Sequence, residues 1–393
     1  MDLLLISVIA LVALALLFDF TNGFHDAANS VATVVATRAM PAKWAPPFAA
    51  FFNFSALIVV GTGVANTVAK TVNPGYESIA IVFSALIAAI AWNYITWWAG
   101  LPSSSSHAIM GGLVGAGLSA GGAAAIGWSS VQKVAVWIIV SPLIAFGIAF
   151  LVMFLVAGIQ RLSHAHDDAK PFKVLQVITA AGVSFAHGAN DAQKTMGVIA
   201  ALLVSAGYLE ASPKDGSISP PSWVEIGAYG AIALGTVWGG WKIIETMGLK
   251  LTRLNANSGL AANLGTMTAV LAGTFLKAPL STTQAAASSV VGSGVASGRG
   301  ANWKVVGEMV LAWVVTIPST LLLSWALYKL TQLPTVAAWI CVGAVLIVFF
   351  GWVAYAMTHT IKAADVEAEL PTDEQLDEDL PIHPHLEGHG PVV

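Results

Sequence analysis

The sequence predicts an all-α polytopic membrane protein. Its plan is two inverted-topology repeats of about five crossings each, with discontinuous helices, plus one extra C-terminal helix. Three observations carry this. First, the 393-residue chain is 56% hydrophobic and only 10% charged, with mean hydropathy +0.77. A soluble domain carries about 25% charged residues, so there is too little polar surface here to cover a water-soluble globule. Second, apolar runs of the roughly 20 residues that a helix needs to cross a bilayer recur from end to end, without the regular alternation of an outer-membrane barrel. Third, the second half repeats the first.

Taken in order, the first membrane repeat spans 1–158. It opens on MDLLLISVIALVALALLFDF, which has the apolar core of a signal peptide but no basic start and no small-residue cleavage pattern, and so reads as a retained helix. The run 3–37 is long and is read as interrupted near Asn22 and Gly23. Crossings at 44–66 and 78–100, a broken segment at 102–127 and a crossing at 134–159 follow. A polar loop at 159–173, read as cytoplasmic, separates the halves. The second, inverted membrane repeat spans 174–328, with a run at 174–208 interrupted near Gly188, crossings at 223–241 and 258–276, a broken segment at 279–297 and a crossing at 305–327. An extra transmembrane helix fills 329–358. The acidic tail, 359–393, is read as disordered.

The repeat is visible residue by residue. LPSSSSHAIMGGLVGAGL, from Leu101, aligns without a gap to APLSTTQAAASSVVGSGV, from Ala278. The proline, three hydroxyl positions and two glycines coincide. WIIVSP from Trp137 matches WVVTIP from Trp313, and NGFHDAAN from Asn22 matches HGANDAQK from His187. An odd number of crossings per half makes the second copy enter from the opposite side. Basic residues gather in the loops of one side (Arg38 and Lys43; Arg161, Lys170 and Lys173; Lys242, Lys250 and Arg253; Arg299 and Lys304; Lys362) and are sparse on the other (Lys70, Lys133, Lys214, Lys329). By the positive-inside rule the N-terminus lies outside.

Polar residues inside such segments point to transport. Inverted repeats with broken helices place their sites near the mid-plane, where half-helix ends face the substrate. Pro102 and Pro279 suit the first turn of a half-helix, where the missing N–H costs nothing. Ser104, Ser105 and Ser106 on one tip, and Ser281, Thr282 and Thr283 on the other, offer hydroxyl and N–H donors for a small tetrahedral oxyanion at the positive ends of two helix dipoles. The alternative is that these hydroxyls bond to their own backbone. Asp26 and Asp191 sit deep in apolar runs, where a carboxylate costs roughly 3 kcal/mol and is normally functional. Asn29 shares a helix face with Asp26, and the pair suits a hard cation or a proton; Asn190 adjoins Asp191 and joins this set. Lys194, three residues after Asp191, is suited either to pair with that acid or to attract an anion. Asn22 is a further candidate. His25 and His187 are read mainly as hydrogen-bonded packing residues.

These motifs resemble the inorganic phosphate transporter (PiT) family of secondary carriers. NGFHDAAN, LPSSSSHA, GANDAQKTMG and APLSTTQA are similar to its repeat signatures, and the resemblance runs from about residue 18 to about residue 318. It implies inorganic phosphate import by symport with a cation, in alternating access, by a homodimer in the inner cell membrane. It carries a cation-linked role to Asp26, Asn29 and Asp191 and a phosphate-linked role to the six tip hydroxyls. Asn53 and Asn263 stand where sodium-coupled animal members carry glutamates, at positions read as symmetric. This resembles proton-coupled bacterial members, so a proton is expected as the coupling ion before sodium, with divalent metal travelling with phosphate as a variant. Gln284 stands where the family usually has histidine. No cofactor, resident metal or nucleic-acid partner is expected; the expected partners are phosphate and the bilayer. A sulfate symporter on the same scaffold is the alternative. A passive anion channel is the less favoured reading. An intramembrane serine hydrolase is set aside, since no HExxH pattern occurs and the serine run recurs without its histidine.

Overall fold

The structure, a computed structural model, describes residues 3–59, 61–163 and 170–370. The middle of the polar loop and the tail beyond residue 370 lie outside the described residues. Fourteen α-helices follow one another: α1 (Leu3–Ala36), α2 (Ala45–Ser55), α3 (Gly63–Ala69), α4 (Ile79–Ala99), α5 (Ser105–Gly121), α6 (Trp128–Ser163), α7 (Lys170–Ser205), α8 (Ser222–Trp238), α9 (Trp241–Glu245), α10 (Ala256–Phe275), α11 (Thr282–Ala296), α12 (Trp303–Thr331), α13 (Thr335–Thr358) and α14 (Ala363–Glu369). Among the described residues, six spans are long and apolar enough to cross a membrane on those grounds alone: α1, α4, α6, α12, α13 and α5 together with the turn that continues it to Ala125. A seventh crossing appears if α2 and α3, bent by 89°, count as one. The others fall short for reasons that matter below: α8 and α11 have 17 and 15 residues, and α7 carries buried His187, Asn190, Asp191, Gln193 and Lys194.

The order α1 to α6 recurs as α7 to α12, and its local devices recur with it. Ser78 caps the start of α4 and Asn255 the start of α10, each accepting from the backbone N–H three residues on, which satisfies an otherwise orphaned donor. Both helices end in a left-handed residue, Gly100 at φ 69° and Lys277 at φ 57°. Glycine adopts that conformation freely and lysine does not. Pro142 lies inside α6 and Pro318 inside α12.

Helices α4 and α5 form a hairpin whose base is closed by Val72 pairing with Ile126 and by Gly127 N–H donating to Thr71 O at 2.9 Å. Helices α10 and α11 form the second, closed where Asn302 N–H donates to Leu251 O at 2.9 Å. The repeats interlock: α5 lies against α12, α11 against α6, α1 against α8 and α7 against α2. The hairpins touch end to end, since Ser106 Oγ donates to Leu280 O at 2.7 Å.

Three expectations are corrected. Helices α1 and α7 run unbroken through Asn22, Gly23 and Gly188. Those glycines are points of close approach: a Cβ on Gly23 would collide with the Ile232 carbonyl of α8, and one on Gly188 with the Asn53 carbonyl of α2. Pro102 and Pro279 do not start their helices. Ser104 and Ser281 are the N-caps, so each proline stands two residues further out, in the extended tip. The tail is helical over Ala363–Glu369, with Val366 1% exposed, because α14 lies against α9 and Arg38 donates to Leu370 O at 3.3 Å.

Candidate functional site

The two tips and the two long helices α1 and α7 converge on a fully buried polar cluster. The six tip hydroxyl residues are each no more than 2% exposed. Ser104 Oγ accepts from His107 N–H, and Ser281 Oγ accepts from Gln284 N–H, both at 3.2 Å. The backbone-bonding alternative therefore holds for this pair, whose hydroxyl protons remain free to donate. Of the remaining hydroxyls, that of Thr282 meets the carboxylates. Thr282 Oγ1 donates to Asp26 Oδ2 at 3.2 Å and lies 3.5 Å from Asp191 Oδ2. Asn29 Nδ2 donates to Thr283 Oγ1 at 3.2 Å and lies 3.4 Å from Thr282 Oγ1. Ser105 Oγ is buried without a protein partner.

Lys194 Nζ lies 2.8 Å from Asp191 Oδ1 and donates to Ser106 Oγ. Asn22 Nδ2 donates to Asp191 Oδ2 at 3.2 Å. One continuous line of contacts therefore runs from Leu280 O through Ser106, Lys194, Asp191 and Thr282 to Asp26. One ligand atom each from Asp26, His187 and Asp191 lies within 4.8 Å of the others. Two carboxylates and an imidazole at that separation suit a single small cation or a shared proton, since two like charges in low dielectric do not both stay bare.

Other predicted residues support the cluster from behind. Asn190 turns away from the carboxylates: its Nδ2 donates to Thr274 Oγ1 at 2.9 Å and to Ala278 O at 3.1 Å, bracing the second tip. Its repeat mate His25 does the same for the first, with Nε2 3.1 Å from Thr96 Oγ1 and 3.3 Å from Ser103 Oγ, while its Nδ1 lies 2.7 Å from Asp26 Oδ1. Asn53 bonds Thr236 Oγ1 at 2.8 Å and His187 Nδ1 at 3.1 Å. Asn263 accepts from Thr33 Oγ1 at 2.8 Å and donates to Gln176 O at 3.1 Å. Asn53 belongs to α2 and Asn263 to α10. These helices are not mates in the repeat, so the two positions are not symmetric.

Sequence reasoning underrated His187 and missed the Leu280 carbonyl, which carries no side-chain signal. It also missed Gln193, whose Oε1 accepts from Val64 N–H at 2.8 Å and stands in for the cap of α3. A GxSxG string does occur, GLSAG at 117–121. It closes α5, and Ser119 Oγ donates to Trp325 O, so it is no strand-to-helix nucleophile elbow.

Interlocked repeats, facing polar hairpin tips and buried acids between membrane-spanning helices mark a multi-pass membrane transporter. The model of the phosphate transporter family matches residues 22–324, and the chain belongs to that family, one of transporters and not of enzymes. It is 44% identical to a probable low-affinity inorganic phosphate transporter of Rhizobium meliloti (strain 1021) and 41% identical to one of Bacillus subtilis (strain 168); each match covers 81% of this chain and 95% of the relative. It is 27% identical to the low-affinity inorganic phosphate transporter PitB of Escherichia coli (strain K12), over 80% of this chain and 95% of that one. Among solved structures it resembles one titled "The sodium-dependent phosphate transporter", with TM-score 0.73 and 26% identity over 83% of this chain and 99% of the other.

Proposed function

We propose that the protein imports inorganic phosphate across the inner cell membrane by symport with a cation, through alternating access, as a homodimer. The observation that supports this best is the contact line from Leu280 through Ser106, Lys194, Asp191 and Thr282 to Asp26, because it ties anion-type donors to cation-type acceptors in one buried unit. Phosphate takes the hydroxyls of Ser104, Ser105, Ser106, Ser281, Thr282 and Thr283, with the N-terminal dipoles of α5 and α11 behind them. Asp26 and Asp191, supported by Asn29 and Asn22, take the coupling cation. That cation offsets the anion's charge and must favour the loaded, closed form, since a ligand indifferent to two forms shifts nothing.

A proton is the coupling ion favoured by asparagine at positions 53 and 263; the sodium dependence named in the solved neighbour's title makes sodium the alternative to test. Phosphate is favoured over sulfate because a protonated phosphate oxygen finds an acceptor in Asp26 or Asp191, whereas sulfate near neutral pH brings no proton. The test is uptake of labelled phosphate into proteoliposomes under an imposed proton or sodium gradient, with and without magnesium and with sulfate as competitor. Asp26→Asn is expected to abolish accumulation, and full activity in that variant would remove Asp26 from the mechanism.

A further inference from the structure

The repeat makes matched contacts with unmatched chemistry at one point. The alignment of NGFHDAAN with HGANDAQK pairs Asn29 with Lys194, and the alignment of the tips pairs Ser106 with Thr283. The structure pairs them the same way in space. Asn29 of α1 donates to Thr283 of α11, and Lys194 of α7 donates to Ser106 of α5. Each follows its repeat's buried aspartate by three residues. At one of these mirror-related positions stands a neutral amide, and at the other an ammonium bound to its aspartate at 2.8 Å.

The two carboxylates therefore have different fixed partners, an imidazole at Asp26 and an ammonium at Asp191. Asp191 already holds a cation that cannot leave. Asp26 has His25 and Thr282 as its bonding partners, and the Oδ1 of its neighbour Asn29 is buried without a protein partner. We infer that Lys194 is a tethered substitute for a transported cation. It neutralises the second repeat's coupling position permanently, so that a mobile cation is taken up at the Asp26 side alone and the carrier moves one cation fewer per phosphate than a carrier with an amide at both positions. The physical reason is that a carboxylate this deep must be neutralised before the closed form is stable. Lys194, 0% exposed, does so without drawing on an ion gradient.

This inference rests on the reading of Asp26 and Asp191 as coupling residues, and the experiment separates the two. The full chain is reconstituted in proteoliposomes, and the phosphate accumulation ratio is measured against an imposed membrane potential and cation gradient, for wild type, Lys194→Asn, Asn29→Lys and the double exchange. Wild-type uptake that ignores every cation gradient would defeat the underlying reading. If wild type is coupled, Lys194→Asn is expected to need one more cation per phosphate. One further charge carries about 2.3 kcal/mol per 100 mV, which at about 1.4 kcal/mol per decade is an accumulation ratio about 50-fold steeper. Asn29→Lys is expected to equilibrate phosphate without accumulating it, and the double exchange to recover the wild-type slope. A Lys194→Asn carrier with an unchanged slope overturns the inference. So does one that loses phosphate binding in detergent while keeping cation binding, since Lys194 would then be an anion ligand. Should Lys194→Asn fail to fold, Asn29→Lys decides: a wild-type slope in that variant overturns the inference equally.

Discussion

Replacing Ser106 by alanine removes a hydroxyl with two tasks. It donates to Leu280 O at 2.7 Å, closing the contact between hairpins, and it accepts from Lys194. Leu280 is 1% exposed, so its carbonyl would be left buried and unpaired, at a cost of about 1–3 kcal/mol. Losing a hydrogen bond from an ammonium costs about 1.5–3 kcal/mol more. Lys194 keeps Asp191, so the lower ends of both ranges are the safer sum, about 2.5–3 kcal/mol. At about 1.4 kcal/mol per decade this shifts the balance between touching and parted tips by roughly 100-fold. Amide hydrogen exchange reads that opening directly, because the N–H groups of His107 and Gln284 are held by the caps of the two tips. In Ser106→Ala both are expected to exchange roughly 100-fold faster where local opening governs exchange, with phosphate accumulation reduced in parallel. Ser106→Thr, which installs the residue found at the repeat mate Thr283, is expected to restore both. Wild-type exchange at the tips in Ser106→Ala would refute the idea that this hydroxyl holds the closed form.

Two further outcomes follow from the same geometry. Gly23→Ala and Gly188→Ala place a methyl against the carbonyls of Ile232 and Asn53; each is expected to lower stability by about 1–3 kcal/mol, seen as a fall in melting temperature in detergent, and an unchanged value would show that the crossings spread at no cost. In the loop before α8, the Ser217 hydroxyl and N–H hold the Asp215 carboxylate down to about 2, with the N–H donating to Oδ1 at 3.0 Å. A depressed carboxylate contributes fully above its ordinary pKa of about 3.9 and progressively less as pH falls below it. Protease resistance of this loop is therefore expected to persist above about pH 4 and to be lost toward pH 2; loss on raising the pH would contradict the assignment.

Much of this was legible because the sequence carries the same information twice. A serine run in an apolar segment is ambiguous alone, yet APLSTTQA repeats LPSSSSHA at matched positions, and the structure brings those tips into contact. The depth of Asp26 and Asp191 was readable from the length of their apolar runs, since a carboxylate there must face protein. What could not be read was helix continuity at Gly23 and Gly188. Glycine inside a long apolar run is equally the mark of a break and of a close crossing, and only the position of the neighbouring helix decides. The start of α5 was misjudged for a related reason. Proline is compatible with a first turn, but the serine two residues on captures the backbone N–H of His107 and so sets the cap. Asn53 and Asn263 read as symmetric because both stand where sodium-coupled animal members carry glutamates, whereas the repeat register places them on helices that are not mates.

The departures from symmetry are as informative as the symmetry. Thr282 of the second tip reaches both carboxylates, while its mate Ser105 has no protein partner. On the first tip Ser106 is held instead through Lys194. A proton or cation arriving at Asp26 therefore acts on the second hairpin directly through the Thr282 hydroxyl, and on the first through the His25 imidazole that holds Thr96 and Ser103. That inequality meets a thermodynamic requirement. A ligand that engaged both tips equally would stabilise alternative arrangements of the hairpins to the same degree and move no population between them. An approximate repeat supplies two nearly equivalent gates, and the substitution of lysine for asparagine at one mirror position gives the ion a gate to choose.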